Sequence, residues 1–205
     1  MRAWALVPQK RLAEAKSRIA GSAEPHRRAA LSLALLQRVC AALRATPGVE
    51  DVVIMTPDPA VHAFARASGI GAVTDASPSF NDALGHALLV EAGRTPNRAA
   101  LIVSADLPLL MPADVRAALA AGAGGVLVIA PSKDGTGTNG LLLPPGVRLR
   151  PAFGPGSRVR HRRLGEALGR RVVELFRPGL AFDLDTPADL AALYTFNSFS
   201  VPVTM

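Results

Sequence analysis

Carboxylates that follow apolar segments are the residues whose types and spacing most directly suggest chemistry. Asp106 follows an apolar run at 101–103, and Asp183 and Asp185 stand two residues apart in a later segment. Because alternate residues of a β-strand point to the same face, Asp183 and Asp185 are predicted to direct both carboxylates to one point, where Asp106 can meet them. Three carboxylates suit Mg²⁺, which usually keeps several waters and shares its remaining positions with substrate phosphates. The pattern therefore predicts a Mg²⁺ site and phosphate chemistry.

A second group of candidate residues is basic and follows the first apolar segment of the chain. Lys10, Lys16 and Arg18 come after residues 3–7, which are predicted to form a strand. Ligands of open α/β sheets bind at the carboxyl ends of strands, so these cations are expected to face the aspartates. A triphosphate with bound Mg²⁺ needs this pairing, because cations stabilise charge on the transferred phosphorus and on the leaving diphosphate.

A glycine-containing segment lies between two predicted strands. Residues 134–140 read Asp-Gly-Thr-Gly-Thr-Asn-Gly and include Thr138. The glycines allow the backbone to approach a ligand closely, and threonine hydroxyls can donate to phosphate or carboxylate oxygens. A tight hairpin turn is the alternative interpretation of the same residues.

A second glycine-containing segment precedes a predicted helix. Residues 153–157 read Phe-Gly-Pro-Gly-Ser, and Ser157 is predicted to cap a helix that runs through His161. A helix amino terminus binds anions, so Gly154 and Ser157 are predicted to form a phosphate or carboxylate pocket. His161 is interpreted as a positioning or surface residue rather than as a catalytic base.

Charge and composition restrict the class of partner. The net charge of +7 predicts anionic partners, and arginines crowd residues 11–28 and 148–171. Phe153 is the only aromatic residue in the second of these segments. Proteins that bind single strands interleave aromatic with basic residues, so a nucleotide or a phosphorylated acid is favoured over nucleic acid. The single cysteine, Cys40, cannot form an intrachain disulfide and is expected to be a buried thiol.

The elements that position these residues are predicted to alternate between short strands and helices. Strands are predicted at residues 3–7, 51–55, 71–73, 99–104, 125–130, 139–143 and 172–176, and helices at 27–43, 57–67, 80–91 and from Pro112 onward. This alternation predicts a single-domain, doubly wound α/β fold, with a mostly parallel central sheet and helices on both faces. The domain is predicted to cover residues 1–194, followed by a tail at 195–205. No apolar run reaches the ~18 to 20 residues of a membrane span, so a cytoplasmic location without a membrane partner is expected.

Five segments together carry a resemblance to a known family. They are Val-Pro-Gln-Lys with Ala-Lys-Ser-Arg at 7–10 and 15–18, Ser-Ala-Asp-Leu-Pro at 104–108, Gly-Thr-Gly-Thr-Asn at 135–139, Phe-Gly-Pro-Gly-Ser at 153–157, and Asp-Leu-Asp-Thr-Pro at 183–187. In this order, over nearly the whole chain, they resemble the guanylyltransferases of coenzyme F420 biosynthesis. That family is a branch of the nucleotidyltransferases related to the molybdenum-cofactor guanylyltransferases, so the resemblance implies a Rossmann-like nucleotidyltransferase fold. Its members transfer GMP from GTP to phosphoenolpyruvate, 3-phospho-D-glycerate or 2-phospho-L-lactate and release diphosphate.

The resemblance assigns a role to each group of candidate residues. It implies Mg²⁺ at Asp106, Asp183 and Asp185, the GTP phosphates at Lys10, Lys16 and Arg18, the acceptor's phosphate or carboxylate at Thr138, Gly154 and Ser157, and guanine near Thr56, Asp75 and Asn81. One departure is Gln9, where a small apolar residue is expected. The partners implied are GTP and a small phosphorylated carboxylic acid, with a homodimer as an option for the assembly.

The acceptor and the enzyme class leave alternatives open. The alanine- and arginine-rich composition is associated with bacteria of high genomic GC content, which favours phosphoenolpyruvate or 3-phospho-D-glycerate over 2-phospho-L-lactate. A molybdenum-cofactor-type guanylyltransferase is a second candidate, although the first loop lacks the glycine-rich stretch expected there. A non-enzymatic module that binds nucleic acid through its basic surface is the third.

Overall fold

A seven-stranded sheet forms the centre of the computed structural model, which describes residues 1–17, 24–74, 77 and 79–195, without the side chain of Tyr194. Its strands are β1 (Ala3–Pro8), β2 (Val49–Met55), β3 (Gly71–Val73), β4 (Ala99–Val103), β5 (Leu127–Pro131), β6 (Thr138–Leu143) and β7 (Val172–Glu174). The helices are α1 (Pro25–Arg44), α2 (Pro59–Ala67), α3 (Phe80–Arg94), α4 (Pro112–Ala121), α5 (Ser157–Ala167), α6 (Pro178–Ala181) and α7 (Pro187–Thr195), with a 3₁₀ turn at Leu12–Glu14. The predicted strands and the helices predicted up to Pro112 are therefore confirmed, with shifts of one to three residues at their ends.

The strand order creates a crevice at one edge of the sheet. The order is β3-β2-β1-β4-β6-β5-β7, and within the described ranges only β6 runs antiparallel to its neighbours, which confirms a mostly parallel sheet. After β1 the chain places β2 and β3 on one side and β4 on the other, so the order reverses between β1 and β4. Open α/β sheets bind ligands outside the carboxyl ends of strands at such a reversal.

Helices cover both faces of the sheet, as predicted. Ala5 and Val7 of β1 belong to a buried cluster with apolar residues of α1, α2 and α4, whereas Trp4 and Leu6 belong to a cluster on the opposite face with residues of α3. This division follows from the alternation of side chains along a strand. Leu6 has no exposed surface, and truncating such a residue to alanine typically costs ~2–5 kcal/mol.

The segment with the second and third aspartates is not a strand, so that part of the prediction is wrong. Asp183 and Asp185 lie in the connection between α6 and α7. The Leu184 N–H donates to the Asp106 carbonyl at 3.1 Å, which fastens this connection to the end of β4. Leu184 is fully buried while both aspartates line an open cleft, so the alternation that was expected of a strand persists in an extended loop.

Helix α7, which the sequence analysis did not predict, begins with a reciprocal cap. The Asp189 carboxylate accepts the N–H groups of Asp185 and Thr186 at 2.9 and 2.8 Å, and the Thr186 hydroxyl accepts the Asp189 N–H at 3.2 Å. The sequence Thr-Pro-Ala-Asp at 186–189 has the spacing of a capping box with proline at the first helical position. That signal was sufficient to predict the helix. The predicted tail falls almost entirely on residues 196–205, which lie outside the described part of the chain.

The start of α5 also differs from the prediction. Gly156, with φ of +72°, is the N-cap, and Ser157 is the first residue of the helix. Glycine occupies the N-cap because a left-handed conformation disfavours residues with a Cβ atom. The Ser157 side chain makes no capping hydrogen bond. The Ser157 hydroxyl is consequently not used by the helix. In the residues that the structure covers, no helix is both long enough and apolar enough to cross a bilayer.

Candidate active site

A cleft of about 930 Å³ opens at the carboxyl ends of β1 and β4, where the strand order reverses. Most of the predicted site residues line it, namely Lys10, Lys16, Asn81, Asp106, Thr138, Gly154, Ser157, Asp183 and Asp185. Thr56 does not line it, and Arg18 and Asp75 lie outside the described residues. The fold therefore brings the five family-like segments, which are far apart in the sequence, to one place.

A lysine side chain lies within the carboxylate cluster. The Lys16 ammonium donates to Asp106 Oδ2 at 2.6 Å and to the Leu184 carbonyl at 2.5 Å, and lies 3.4 Å from Asp185 Oδ1. Its side chain is only 6% exposed. The Lys16 backbone has φ of +57°, a left-handed conformation that is uncommon outside glycine and that turns the chain so that the side chain reaches inward.

A second lysine, Lys133, contacts Asp183. Lys133 Nζ donates to the Asp183 carbonyl at 2.7 Å, lies 3.7 Å from Asp183 Oδ1 and pairs with Asp189 Oδ1 at 2.6 Å. Asp183 Oδ1 is buried and accepts no hydrogen bond from the residues described. Burial and the neighbouring Asp106 charge raise the pKa of Asp183 above its usual value. The nearby Lys133 ammonium therefore offsets burial and the Asp106 charge only in part.

The carboxylate cluster fits a magnesium ion that is shared with a substrate. Within the described ranges no three His, Cys, Asp or Glu side chains form a ready-made metal cage, because Lys16 separates Asp106 from Asp185. Mg²⁺ in phosphate-transferring enzymes is usually held by one or two carboxylates, waters and the substrate phosphates, so a complete protein cage is not required. The buried and unsatisfied Asp183 Oδ1 is a suitable oxygen ligand for such an ion.

The lining of the cleft also includes two buried hydroxyl groups. Ser157 is 1% exposed, and its Oγ has no hydrogen-bond partner among the residues described. Thr138 is 5% exposed, and its Oγ1 lies 3.0 Å from Nδ1 of His161. The glycine-containing segment before Thr138 connects β5 and β6 as a hairpin, longer than the tight turn of the alternative interpretation, and most of its residues line the cleft.

The amino terminus of α5 offers fewer free N–H groups than the sequence suggests. The Ser157 N–H donates to the Gly154 carbonyl at 3.0 Å, and the Arg158 N–H donates to the Thr136 carbonyl at 3.2 Å. These bonds hold the loop and the hairpin connection against the helix. The Ser157 side chain, rather than its backbone, is therefore the group that can donate to an anion here.

Two residues that were expected to contact guanine have other contacts. Asn81 pairs with the backbone of Phe153, accepting its N–H at 2.8 Å and donating to its carbonyl at 3.1 Å. Thr56 has no exposed surface, and its hydroxyl accepts the Asp58 N–H at 3.1 Å. In this conformation Thr56 cannot contact a base, and Asn81 instead orders the loop that carries Gly154.

The sequence analysis missed Lys133 and the contribution of Gln9. Every lysine of this arginine-rich chain, Lys10, Lys16 and Lys133, lines the cleft. The scarcity of lysine was thus a usable signal, since lysine supplies a mobile point charge for phosphate. Gln9, which departs from the family pattern, is buried and donates to the Lys10 carbonyl at 2.9 Å and to the Ser32 hydroxyl at 3.2 Å, so it orders the backbone of Lys10.

Solved structures share this architecture over almost the whole chain. A putative nucleotide-diphospho-sugar transferase from Desulfovibrio desulfuricans G20 superposes with a TM-score of 0.76 at 18% identity, covering 98% of this chain and 90% of that one. A 4-diphosphocytidyl-2C-methyl-D-erythritol synthase gives a TM-score of 0.66 at 16% identity, covering 96% and 99%. At these identities the likeness concerns the fold alone. The chain thus has the α/β fold of the nucleotidyltransferases.

Sequence comparison narrows this class to one family. The family model described as "Guanylyl transferase CofC like" matches residues 3–198. A phosphoenolpyruvate guanylyltransferase from Rubrobacter xylanophilus is 43% identical over 196 residues, which cover 94% of each chain, and one from Sphaerobacter thermophilus is 39% identical over 189 residues, which cover 92% and 91%. The chain belongs to the CofC-like guanylyltransferase family and is a guanylyltransferase. The predicted family is confirmed, and the alternative of a non-enzymatic nucleic-acid module is set aside.

Proposed function

We propose that this guanylyltransferase transfers GMP from GTP to phosphoenolpyruvate, releases diphosphate, and acts in coenzyme F420 biosynthesis. The observation that carries the proposal is that one cleft is lined both by lysines and carboxylates and by the buried hydroxyls of Thr138 and Ser157. The lysines and carboxylates suit a triphosphate with Mg²⁺, and we call the lining that they form the nucleotide side. The hydroxyls suit a small anion, and we call the lining around Thr138, Gly154 and Ser157 the acceptor side. Phosphoenolpyruvate is preferred to 3-phospho-D-glycerate and 2-phospho-L-lactate because the two relatives described above carry that acceptor in their names.

The proposed reaction needs no general base from the protein. The acceptor phosphate is already anionic at neutral pH, so one of its oxygens can attack the α-phosphorus of GTP directly. A new P–O bond forms to the acceptor while the bond from the α-phosphorus to the bridging oxygen of diphosphate breaks, and no proton has to move. Positioning and charge neutralisation then lower the barrier.

The basic residues and the aspartates would bind different parts of the GTP–Mg²⁺ complex. Lys10 is exposed at the cleft, and together with Lys16 and Arg18 it would hold the phosphates. Asp106, Asp183 and Asp185 would hold Mg²⁺, which supplies charge neutralisation on phosphate oxygens when it is bound. Because Lys16 now contacts Asp106 and Asp185, its ammonium must turn from these carboxylates toward the phosphates when GTP and Mg²⁺ bind.

Thr138, Gly154 and Ser157 would hold the acceptor. Gly154 has φ of +110°, a backbone conformation in which a side chain would be strained, and it lines the cleft. Of the three residues predicted to contact guanine, Thr56 is enclosed in the fold, and the contacts of Asn81 and Asp75 with the base stay predictions. A homodimer and a cytoplasmic location also remain predictions from the sequence.

The function is tested by offering the three phosphorylated acids separately with GTP and Mg²⁺. Diphosphate release is followed continuously, and mass spectrometry identifies the guanosine diphosphodiester of the acid. We expect the highest kcat/KM with phosphoenolpyruvate. A preference for either other acid would refute the acceptor assignment, and the absence of product with all three would refute the proposed reaction.

A carboxylate variant tests the site independently of the acceptor. Asp106→Asn should lower kcat by about 10² or more, the scale of losing one electrostatic stabiliser, with a smaller change in the acceptor KM. The matched control is Asp51→Asn, because Asp51 is an exposed carboxylate at the start of β2 that does not line the cleft. Normal turnover of a folded Asp106→Asn variant would show that the carboxylate cluster is not the reaction centre.

A further inference from the structure

A buried histidine connects the three elements that form the acceptor side of the cleft. The His161 ring has no exposed surface and belongs to α5. Its Nδ1 lies 3.0 Å from Thr138 Oγ1 at the start of β6, and its Nε2 lies 3.0 Å from the Ala152 backbone nitrogen. The ring also packs edge-on against Phe153, with centroids 4.7 Å apart. His161 therefore contacts both the hydroxyl of Thr138 and the loop that leads to Gly154.

The contacts of the ring determine which nitrogen carries the proton. A backbone N–H can only donate, so Nε2 must accept the bond from Ala152 and carry no hydrogen. A neutral ring then has its proton on Nδ1, where it points at Thr138 Oγ1. Burial, and next the charge of Arg160, lower the pKa of His161 to about 4, which agrees with a neutral ring.

This tautomer sets the direction of the Thr138 hydroxyl. Since Oγ1 accepts the Nδ1–H, the threonine's own proton is available to another acceptor. The hydrogen bond to His161 is the one that the described residues show for this side chain, and Thr138 lines the cleft beside the unpartnered Ser157 hydroxyl. With the opposite tautomer, Thr138 would donate to the ring and present only lone pairs to an anion.

We propose that His161 is a positioning residue that converts the Thr138 hydroxyl into a hydrogen-bond donor for the acceptor acid. This inference rests on the proposed function, because it assumes that an anionic acceptor occupies this side of the cleft. His161 is not a catalytic base, since its ring has no exposed surface and both nitrogens are engaged. It acts on the acceptor through Thr138.

Two amide variants separate the two contacts of the ring. An asparagine amide reaches about as far as Nδ1 and a glutamine amide about as far as Nε2, so His161→Asn retains a donor to Thr138 while His161→Gln retains an acceptor for Ala152. We expect His161→Gln to raise the acceptor KM about tenfold or more, the scale of one hydrogen bond to a charged ligand, and to change the GTP KM less than about twofold. His161→Asn should retain more acceptor affinity than His161→Gln. The control is His86→Gln, because His86 is exposed on α3 and does not line the cleft.

The dependence on Thr138 is tested in a double-mutant cycle. Thr138→Val removes the hydroxyl at constant shape and should raise the acceptor KM, and His161→Gln should add little in that background. If His161→Gln raises the acceptor KM by the same factor in the Thr138→Val background as in the native protein, the ring does not act through Thr138. If the histidine variants fail to fold, the comparison of Thr138→Val with Thr138→Ser still tests whether the hydroxyl donates to the acceptor, since only the valine variant should then raise the KM.

A measurement without substrates distinguishes this proposal from the proposed function. Nitrogen-15 NMR of the histidine rings reports the tautomer, and His161 should show a protonated Nδ1 and an unprotonated Nε2 at pH 7. A proton on Nε2 would overturn the inference whatever reaction the enzyme catalyses. The expected tautomer with no product from any of the three acids would instead refute the proposed function.

Discussion

Replacing Lys16 with methionine should destabilise the ligand-free protein and strengthen its response to Mg²⁺. Methionine keeps the length and the Cβ atom of the side chain, so the left-handed backbone at φ +57° is strained equally in both proteins. The change removes hydrogen bonds to Asp106 and to the Leu184 carbonyl and removes the Lys16 ammonium from beside Asp185.

The size of the effect follows from the burial of the partners. Lys16 is 6% exposed, but Asp106 and Asp185 are 27% and 37% exposed and regain water when the ammonium is removed. The loss is therefore set by the net strength of a hydrogen bond to a charged group, about 1.5–3 kcal/mol, rather than by the larger cost of a fully buried charge. A domain of this size loses about 2–4 °C in Tm per kcal/mol, so we expect a decrease of about 3–12 °C.

Thermal unfolding measured against MgCl₂ concentration checks this reasoning. In the native protein Mg²⁺ must displace the Lys16 ammonium from Asp106, whereas in Lys16→Met it does not compete with that ammonium, so added Mg²⁺ should raise the Tm of the variant more than that of the native protein. Lys10→Met is the matched control, because Lys10 lines the same cleft but makes no ion pair with the residues described. Equal Mg²⁺ responses in the three proteins would refute the inference that Lys16 competes with the metal.

Further outcomes are expected for variants of the acceptor side, for Asp183→Asn and for the pH dependence of stability. Ser157→Ala should raise the acceptor KM roughly 10- to 150-fold with little change for GTP, and Gly154→Val should do more harm because φ of +110° disfavours a side chain. Since burial and the Asp106 charge raise the folded pKa of Asp183, its ionised form destabilises the fold at pH 7, and Asp183→Asn should keep or raise the Tm while abolishing turnover. The pKa of His161 is lowered from 6.5 to about 4, so the unfolded chain takes up the proton first as the pH falls. The free energy of unfolding should then decrease by about 3 kcal/mol through this range, and by less in His161→Asn.

Each of these outcomes has a contrary result. A Ser157→Ala variant that weakens GTP binding and spares the acid would mean that the two sides of the cleft are reversed. A clear fall in the Tm of Asp183→Asn at pH 7 would show that Lys133 fully compensates the native carboxylate. Urea unfolding at several pH values measures the last effect, and equal pH dependence in the native and His161→Asn proteins would contradict it.

The central strands could be predicted because their sequences are constrained on both faces. Strand β4 is buried on both faces, so its sequence is an unbroken run of apolar residues. A run this short is typical of a buried strand rather than of a helix. The direction of β6 was not predicted, because an antiparallel strand in the interior of the sheet has the same apolar composition as a parallel one. Helix α7 was not predicted although its cap is visible in the sequence, because the spacing of the two aspartates just before it indicated a strand.

The sequence motifs predicted which residues of the candidate site lie in the cleft, but not the contacts that their side chains make. The residue types of Asp106, Thr138 and Ser157 indicated a cleft with anions and a metal, and the fold brings them together. The contacts that each side chain makes could not be predicted, because they depend on distant residues. Lys16 pairs with a residue 90 positions away, and Asn81 pairs with one 72 positions away.

Asp106 lies far from Asp183 and Asp185 in the sequence, and the last strand of the sheet is synthesised before the carboxylate cluster is complete. Lys16 is synthesised first, Asp106 later, and the loop of Asp183 and Asp185 only after β7. A nascent chain that has reached Glu174 already contains every strand of the sheet, yet it has only one of the three carboxylates. Contacts of such long sequence separation form late and slowly in folding. A chain shortened to end before Asp183 should therefore retain the strands of the sheet but lack two of the three carboxylates proposed to hold Mg²⁺, and we expect no guanylyl transfer from it.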